Sequence, residues 1–414
     1  MADTTGEKKV PNIRFKGFTD DWEQRKLGNV LNGLEYGLNT PAAEFDGENK
    51  YLRITDIDDQ THRFNQCNLT SPKERSKQYL LSEGDLLFAR TGASVGKTYL
   101  YSKSDGKVYY AGFLIRGHVI EDNDSRFIFY TTLLTRYDRF VKVTSIRSGQ
   151  PGINANEYKN YKIFLPKKEE QKKISSIVFK LDRLISLYQR KYELLNQLKQ
   201  GLLQKLFPDT ESRQPELRFN GFNEEWKQHK LKELSDRVMR KNTNLSSSLP
   251  LTISAQDGLV DQTTYFHKQV ASKQLANYIL VLNGEFAYNK SYSVGYPYGA
   301  VKRLDKYNKG VLSTLYIVFK PKNVNSDFLA HYYDSSKWYK EIYRNAAEGA
   351  RNHGLLNISS ADFFNSILLT PKDYVEQQKI ANLLNSLNKV ISLQNNKIDM
   401  LTNLKKFLLQ QMFI

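Results

Sequence analysis

Residues 91–98, Thr-Gly-Ala-Ser-Val-Gly-Lys-Thr, come close to a phosphate-binding loop of the Walker A type. Such a loop holds phosphates with its backbone amides and a lysine, and it opens a helix whose N-terminus faces the anion. Here Thr91 occupies a position that the motif reserves for glycine, and residues 99–101, Tyr-Leu-Tyr, favour a strand. The sequence therefore predicts a turn between strands, with Arg90 and Lys97 exposed on a basic surface, in preference to a nucleotide site.

A similar arrangement recurs in the second half of the chain. Residues 84–90 align loosely with residues 284–290, and each stretch predicts a strand that ends in a basic residue before a turn of small residues. Glycines allow a close approach of the backbone, and aromatic and amide side chains beside cations suit a nucleic-acid surface. The alternative is a tyrosine-rich turn, residues 291–299, that packs on its own domain.

Two further loops combine arginine with an amide side chain. Residues 145–154 contain Arg and Gln, and residues 348–357 contain Arg and Asn. Arginine can read guanine, and Asn or Gln can read adenine, in the major groove, although either arginine could contact only phosphate. The candidate DNA-contacting residues are Arg90, Thr91, Ser94, Lys97, Arg147, Ser148, Gln150, Asn289, Lys290, Tyr292, Tyr296, Arg303, Arg351 and Asn352.

Motifs for catalysis are missing. The Asn-Pro-Pro-aromatic signature of adenine methyltransferases, a Gly-x-Gly-x-x-Gly fingerprint and a nucleophile elbow do not occur. One cysteine, Cys67, and six scattered histidines predict no metal site and no internal disulfide. We therefore predict a chain without a catalytic site or a cofactor of its own.

Composition indicates an anionic partner. The 414 residues carry a formal net charge of +17 and 12% aromatic side chains. A basic balance of this size favours nucleic acid, the alternative being a generic basic protein. The first ten residues are polar and predict no signal peptide, and no apolar run approaches the ~20 residues that a membrane span needs. The expected location is the cytoplasm.

The chain repeats its own motifs after about 205 residues. Residues 11–18 read Pro-Asn-Ile-Arg-Phe-Lys-Gly-Phe, and residues 215–222 read Pro-Glu-Leu-Arg-Phe-Asn-Gly-Phe; a tryptophan follows each copy four residues later. A Glu-Gln pair at 170–171 returns at 376–377. Because this period is too long for a solenoid, it indicates two copies of one half-protein.

Two segments with leucine-rich periodicity follow the Glu-Gln pairs and predict helices of about 38 residues, or about 57 Å. Apolar residues recur at alternating steps of three and four, which is typical of a heptad seam. Lys191 and Lys397 interrupt it at equivalent positions, where a lysine can fix register or simply extend its head to water. The seam is predicted at Ile174, Leu181, Leu195, Leu202, Ile380, Leu387, Leu401 and Leu408, interleaved with Ile177, Leu184, Tyr188, Leu198, Leu383, Val390 and Leu404.

Between these helices, the variable regions predict mixed secondary structure. Strands are expected at 86–89, 108–111, 278–281 and 315–319, and helices at 127–143 and 326–344. Alternation is too irregular for a doubly wound sheet.

The chain resembles the specificity subunits of type I restriction–modification systems over nearly its whole length. The resemblance rests on the duplicated Arg-Phe-x-Gly-Phe motif with its tryptophan, on the Glu-Gln pair that opens each helix, on the Leu-Phe and Met-Phe helix ends, and on residues 84–92. Each motif is weak alone, but their order, duplication and spacing are specific.

That resemblance implies an α+β fold with two pseudo-symmetric globular target recognition domains separated by a long antiparallel two-helix coiled coil. The predicted boundaries are an N-terminal segment (1–19), recognition domain 1 (20–166), spacer helix 1 (167–208), a repeat of the N-terminal segment (209–222), recognition domain 2 (223–371) and spacer helix 2 (372–414).

The resemblance also implies a division of labour. Each recognition domain would read one half of an asymmetric, bipartite site in double-stranded DNA, and the helices would set the gap. Two methyltransferase subunits would bring S-adenosylmethionine, and two restriction subunits would bring ATP and Mg²⁺. The alternatives are a P-loop-like nucleotide-binding enzyme and a DNA-binding scaffold outside restriction.

Overall fold

The computed structural model describes residues 9–147, 149–266, 275–293, 295–345 and 356–414. The chain divides into two compact units: unit 1 contains the residues up to Gln189 together with Asn396–Ile414, and unit 2 contains Arg190–Asn395. Each unit holds one variable region and part of both long helices, and its small sheets and helices agree with the predicted α+β class. None of the helices in the described ranges combines the length and apolar composition that a bilayer span requires.

The described residues of unit 1 form ten strands and three short helices, besides parts of the two long helices and a few 3₁₀ turns. They are β1 (Glu23–Lys26), β2 (Leu31–Tyr36), β3 (Ala42–Glu44), β4 (Asn49–Leu52), β5 (Thr70–Pro72), β6 (Asp85–Ala89), β7 (Thr98–Leu100), β8 (Lys107–Tyr110), β9 (Leu114–Val119), α1 (Ser125–Thr131), α2 (Thr135–Thr144), α3 (Ala155–Lys159) and β10 (Lys162–Leu165), after which comes the long helix α4 (Lys168–Lys205).

In unit 2, the described residues form a matching series. They are β11 (Lys227–Lys230), α5 (Leu231–Leu234), β12 (Ser235–Arg237), β13 (Leu251–Ser254), β14 (Gly258–Asp261), α6 (Gln262–Phe266), β15 (Ile279–Leu282), β16 (Phe286–Asn289), β17 (Ala300–Arg303), β18 (Lys309–Leu312), β19 (Ile317–Pro321), α7 (Ser326–Asp334), α8 (Tyr339–Asn345), α9 (Ser360–Asn365), β20 (Ile367–Thr370) and the long helix α10 (Tyr374–Met412).

A four-stranded antiparallel sheet lies at the centre of each unit. Its order is β2-β9-β6-β7 in unit 1 and β12-β19-β16-β17 in unit 2. Because side chains alternate between the faces of a strand, Leu86 and Phe88 join a core with the helices of unit 1, whereas Leu87 and Ala89 join a second core with the smaller strands. β6 is therefore buried on both faces, which explains its unbroken apolar sequence.

Each single helix predicted after the central sheet is in fact two helices. α1 ends at Thr131 and α2 begins at Thr135, whereas α7 ends at Asp334 and α8 begins at Tyr339. Just after the first helix of each pair, a side-chain hydroxyl donates a hydrogen bond to the backbone carbonyl three residues earlier. Thr132 Oγ1 donates to Phe129 O at 2.7 Å, and Ser335 Oγ donates to Tyr332 O at 2.6 Å. Such bonds compete with helix continuation, and periodicity does not reveal them.

The duplicated motifs meet in a buried ion pair in each unit. Arg14 donates Nε to Glu170 Oε1 at 2.7 Å and Nη2 to Oε2 at 2.9 Å, and Arg218 binds Glu376 in the same way at 2.8 and 2.9 Å. The hydrogen bond to Glu170 raises the pKa of Arg14. The arginine of the N-terminal motif thus clamps the first turn of the long helix.

The glutamine that follows each of these glutamates holds a second segment. Gln171 Oε1 accepts the backbone N–H of Asp124 at 2.9 Å, and Gln377 Oε1 accepts that of Asn325 at 2.8 Å. Asp124 and Asn325 are the N-caps of α1 and α7. The Glu-Gln pair therefore fixes both the N-terminal motif and the first helix after the sheet.

The repeated tryptophans close these networks. Trp22 packs edge-on against Phe127 in unit 1, and Trp226 packs against Phe328 in unit 2, with ring centroids 5.6 Å apart in both cases. Near each tryptophan, the N-terminal motif also meets the end of a long helix: Ile13 N donates to Gln411 O in unit 1 at 2.9 Å, and Leu217 N donates to Lys205 O in unit 2 at 2.9 Å.

Helix ends meet helix beginnings inside each unit. In unit 1, Met412 and Phe413 share a core with Ile174 and Val178, and Lys405 pairs with Asp182 at 2.6 Å, so these two helix segments run antiparallel. In unit 2, the last turns of α4 pack on the first turns of α10; the residues involved are Leu203, Leu206, Phe207, Ile380, Ala381 and Leu384.

The predicted seam is half right. Its eight principal positions are all buried or half-buried, and so is Tyr188. At the remaining positions, the next residue along the chain is more buried than the predicted one, which is exposed except for the half-buried Ile177. The residues that replace Ile177, Leu184, Lys191 and Leu198 are Val178, Ile185, Tyr192 and Lys199; those that replace Leu383, Val390, Lys397 and Leu404 are Leu384, Ile391, Ile398 and Lys405.

At four of these positions two apolar residues are adjacent, and local sequence could not resolve the register there, because a 3-4 and a 4-3 order of steps fit a heptad equally well. At two positions, the choice brings a lysine into the seam. Lys199 pairs with Asp334 at 3.5 Å within unit 2, and Lys405 pairs with Asp182 within unit 1. Burial alone would raise the pKa of Asp334, but Lys302 and Lys199 hold it below its usual range.

The register gives a direct test with two neighbouring leucines. Leu384 is fully buried in the core of unit 2, whereas 37% of Leu383 is exposed. We expect Leu384→Ala to lower the free energy of unfolding by about 2–5 kcal/mol through the lost burial and the cavity. Leu383→Ala, the matched control, should cost about 1 kcal/mol or less. Chemical denaturation followed by tryptophan fluorescence measures both, and the reverse ranking would restore the predicted seam.

The buried ion pair gives a second test. Glu376→Gln leaves Arg218 without its carboxylate, and we expect it to cost about 3–5 kcal/mol of unfolding free energy. Glu211→Gln removes an exposed carboxylate that pairs with Lys340 and should leave the midpoint of denaturation nearly unchanged, because water screens an exposed ion pair. Equal midpoints of denaturation for the two variants would show that the clamp contributes nothing to stability.

Candidate nucleic-acid interface

The two predicted loops of unit 1 are joined by their backbones. Gly92 N donates to Pro151 O at 3.0 Å, Ile153 N donates to Arg90 O at 2.9 Å, and Thr91 bridges to Gly152. Gly92 has a φ of +75°, and a Cβ at this position would lie 3.0 Å from Gln150 Nε2. Residues 90–97 therefore form one surface with residues 145–147 and 149–153, and we call it recognition surface 1.

Buried tyrosines anchor recognition surface 1 from below. Tyr158 donates its hydroxyl to Ala89 O at 2.7 Å, and Tyr137 donates to Gly96 O at 2.9 Å. Burial raises the pKa of both hydroxyls, so they remain protonated donors. Loops held in this way are suited to present side chains in a fixed geometry.

Arg90 lies over the ring of Tyr36, with its guanidinium carbon 4.9 Å from the centroid. Sequence analysis did not select Tyr36, which ends β2 and is exposed. The contact holds the guanidinium of Arg90, a half-buried residue, against an aromatic ring. Ser94 lies nearby in the 3₁₀ turn of residues 92–94 and is half-exposed.

The prediction that Lys97 is exposed is wrong. Only 11% of its side chain is accessible, and its Nζ lies 2.5 Å from Asp59 Oδ1 and donates to Ile57 O at 2.9 Å. These acceptors belong to a segment far from Lys97 in the chain, so the sequence around Lys97 does not predict them. The following residues form β7, as the sequence predicted, so no helix N-terminus faces the loop. The nucleotide-site alternative is not supported.

Arg147 also has an internal partner. Its Nη2 donates to both carboxylate oxygens of Glu157, at 2.6 and 2.7 Å, and Nη1 donates to the carbonyls of Thr144 and Ile146. The side chain remains partly exposed. Contact with DNA would require Arg147 to exchange Glu157 for a base or phosphate, so this role stays a prediction.

In unit 2, the equivalent strand end has the same backbone connection. Leu356 N donates to Lys290 O at 3.1 Å, as Ile153 N does to Arg90 O in unit 1. Lys290 Nζ donates to Ile358 O at 3.2 Å. The duplicated units therefore place the basic residue that follows β6 or β16 against the later loop. We call the region of unit 2 around Asn289, Lys290 and Leu356 recognition surface 2.

A small polar cavity of about 170 Å³ lies beside Lys290 in recognition surface 2. Asn289 and Tyr296 line it together with Gln256 and Tyr265, which sequence analysis did not select. Asn289 Oδ1 accepts the backbone N–H of Ser291 at 3.0 Å, which orients its amide. Amide and hydroxyl groups in such a hollow can exchange hydrogen bonds with a base edge.

Tyr292 projects from the loop between β16 and β17 and is exposed. Arg303, at the far end of β17, does not join this surface. It pairs in register with Phe286, whereas Asn289 pairs with Ala300. Its guanidinium is largely buried and bound to Asp305, Asp327 and Ser326, and although burial opposes it, these carboxylates raise the pKa of Arg303. We therefore withdraw Arg303 from the candidate contacts.

Ser148, Arg351 and Asn352 lie outside the described residues. Two further residues at the surfaces escaped sequence analysis because no local pattern marks them. Phe113, in the turn before β9, and Leu315, in the turn before β19, are large apolar residues with exposed side chains. Leu315 was predicted inside a strand, but β19 begins only at Ile317. Within the described ranges, no cluster of three or more His, Cys, Asp or Glu side chains could hold a metal ion.

Comparison with known proteins agrees with this architecture. Residues 19–197 match the family described as Type I restriction modification DNA specificity domain. The type I restriction enzyme MjaVIII specificity subunit of Methanocaldococcus jannaschii is 26% identical over 226 residues, which are 52% of this chain and 50% of that protein. In both comparisons the chain is similar to type I restriction–modification specificity subunits.

Two further proteins extend the comparison. The HindI specificity subunit of Haemophilus influenzae is 24% identical over 197 residues, 46% of this chain and 41% of that subunit. The chain thus spans about half the length of the curated relatives it matches. A type I restriction–modification S subunit from M. genitalium has the same fold, with a TM-score of 0.62 at 14% identity over 98% of this chain and 99% of that one.

Proposed function

We propose that this chain is a specificity subunit that reads a bipartite site in double-stranded DNA, with one half-site for each recognition surface, and has no catalytic role of its own. The observation that carries the proposal is the duplicated strand end, where Arg90 and Lys290 each accept a backbone hydrogen bond from the later loop. Cations held on rigid loops are suited to contact phosphates and base edges. We therefore regard the predicted domains 20–166 and 223–371 as the two readers.

The two predicted recognition domains share the same backbone framework but carry different side chains. Recognition surface 1 presents Arg90 on Tyr36 beside Gln150, whereas recognition surface 2 presents Asn289, Lys290 and the polar cavity. Different donors and acceptors select different bases. We therefore propose an asymmetric site with unlike halves, and we propose that α4 and α10 set the gap between them.

The surfaces of the long helices support a repeated protein partner. The register exposes an apolar stripe on α4 at Leu184, Leu187, Leu194 and Leu198, and another on α10 at Val390, Leu393, Met400 and Leu404. Each member of the second stripe lies 206 residues after its counterpart. Exposed stripes of this kind mark interaction sites, and an equivalent pair suits two copies of one partner.

We propose that these partners are two methyltransferase subunits, joined by two restriction subunits for cleavage. The partners would bring S-adenosylmethionine, ATP and Mg²⁺ and would flip one adenine in each half-site, since a stacked base cannot be reached. A cytoplasmic location follows from the proposed DNA substrate. A DNA-binding scaffold outside restriction remains the alternative, and copurification with a methyltransferase distinguishes the two.

A methylation map tests this function. The chain is expressed with its neighbouring methyltransferase subunit in a host without other DNA methyltransferases, and adenine methylation is mapped across the genome. We expect one split motif, methylated once in each half on opposite strands. Arg90→Ala should relax or weaken recognition of one half only, by about 1–3 kcal/mol. The matched control is Arg126→Ala, which removes an arginine stacked on Phe179 elsewhere in unit 1.

Two results would contradict the assignment of Arg90. Equal loss of binding to motif and unrelated DNA would show that Arg90 contacts only phosphate. An unchanged motif would show that recognition surface 1 does not read bases. A stable complex with the methyltransferase that methylates nothing would contradict the proposal that this chain directs adenine methylation, whereas no complex at all would favour the scaffold.

The helix stripes predict stoichiometry. Leu187→Glu places a charge in the first stripe and Leu393→Glu in the second, and we expect each variant to lose one of the two methyltransferase copies in native mass spectrometry, because burying an unpaired charge is costly. Gln200→Glu adds the same charge on another face of α4 and should retain both copies. Retention of two copies by both leucine variants would place the docking surface elsewhere.

A further inference from the structure

The turns that lead into the central strands expose a large apolar residue at the same place in both units. Phe88 pairs with Ile115 and Ala89 with Leu114 in unit 1, whereas Tyr288 pairs with Ile317 in unit 2. Phe113 lies two residues before Ile115, and Leu315 lies two residues before Ile317, so the two residues occupy equivalent positions. Their exposed fractions are 58% and 64%.

The turn of unit 1 holds Phe113 rigidly. Leu114 N donates to Ala111 O at 2.8 Å, and Gly112 N donates to Leu38 O at 2.8 Å. Arg90 N donates to the carbonyl of Phe113 at 3.0 Å, so this residue lies directly beside recognition surface 1. Gly37 permits the packing, because a Cβ there would lie 2.2 Å from Ala111 O.

The turn of unit 2 is built from different residues but has the same form. Tyr316 N donates to Ser313 O at 3.2 Å, and Leu315 N donates to Ser313 Oγ at 3.4 Å. Asn289 directly follows Tyr288, the partner of Ile317, so the turn lies at the strand end that carries recognition surface 2. Both units therefore set a large apolar side chain next to their cation.

An isolated apolar residue beside a cation fits DNA better than it fits a protein groove. The apolar stripes of the long helices each comprise four exposed residues, whereas each turn exposes one large apolar residue at the strand end that carries Arg90 or Lys290. Phe and Leu are side chains that enter a duplex as wedges between base steps and hold them unstacked. Removal of a base from the stack creates such a step in each half-site.

We propose that Phe113 and Leu315 are wedge residues that insert into the duplex, one in each half-site, and stabilise the step unstacked by base flipping. This inference rests on the proposed function, because it requires that each unit reads DNA. It adds a part for the specificity subunit itself in opening the duplex. Wedge insertion explains why two positions with different neighbours retain the same class of side chain.

The test uses the complex of the full chain with its methyltransferase subunits and a duplex that carries the mapped motif. 2-Aminopurine replaces the base next to the target adenine in one half-site at a time, and its fluorescence reports unstacking. We expect Phe113→Ala to reduce the fluorescence rise about fivefold or more in one half-site only, and Leu315→Ala to do so in the other. Phe113→Leu and Leu315→Phe should retain most of the signal.

Matched controls are Ile13→Ala and Leu217→Ala, which shorten exposed apolar residues at equivalent positions of the N-terminal motifs. They should leave the fluorescence rise unchanged. Every variant should bind unrelated duplex DNA with an affinity within about twofold of that of the unsubstituted chain.

Three outcomes would overturn the wedge. Unchanged fluorescence in both half-sites with either alanine variant would show that the methyltransferase opens the duplex alone. Loss of a methyltransferase copy from the variant complex, with normal fluorescence in the complexes that remain, would make these residues protein contacts. Wild-type complex that binds the motif no better than unrelated DNA would overturn the proposed function as well, which separates the two failures.

Discussion

A buried arginine–glutamate pair is the constraint on which each unit depends. Glu170 and Glu376 lie almost without access to water, where an unpaired carboxylate is very costly. Their arginines come from the N-terminal motifs, so the motif must lie against the first turn of the long helix. The adjoining glutamine then fixes the N-cap of the first helix after the sheet, and the tryptophan fills the space beside it. Sheet, helix and motif are therefore oriented by a few polar contacts.

This constraint explains why the chain repeats some residues and varies others. The repeated residues build the frame, while the side chains at the ends of β6 and β16 are free to differ. Binding residues are often found on loops that a rigid scaffold holds in place. Here the scaffold includes the backbone links from the later loop to Arg90 and Lys290. One frame can thus support two readers of different chemistry.

Each long helix has two apolar faces, one buried and one exposed. One face is buried in the units and accepts Lys199 and Lys405, whose charges are matched by Asp334 and Asp182. The other consists of exposed leucines and their neighbours. A shift of register by one residue exchanges members of the two faces, so the same shift decides which surface is left for a partner. Burial of a lysine stem in the seam is tolerable because its head meets a carboxylate.

Sequence by itself determined the duplication, the α+β class, the absence of known catalytic motifs and the extent of both long helices, predicted at 167–208 and 372–414 and found at 168–205 and 374–412. These features follow from local periodicity and from motifs that repeat in order. Only the tertiary structure decided the seam register, because adjacent apolar residues satisfy a heptad equally well. It also removed Lys97 and Arg303 from the surface and left Phe113 and Leu315 on it. Whether a side chain is buried or exposed depends on partners that folding brings from distant parts of the chain, as Asp59 is brought to Lys97.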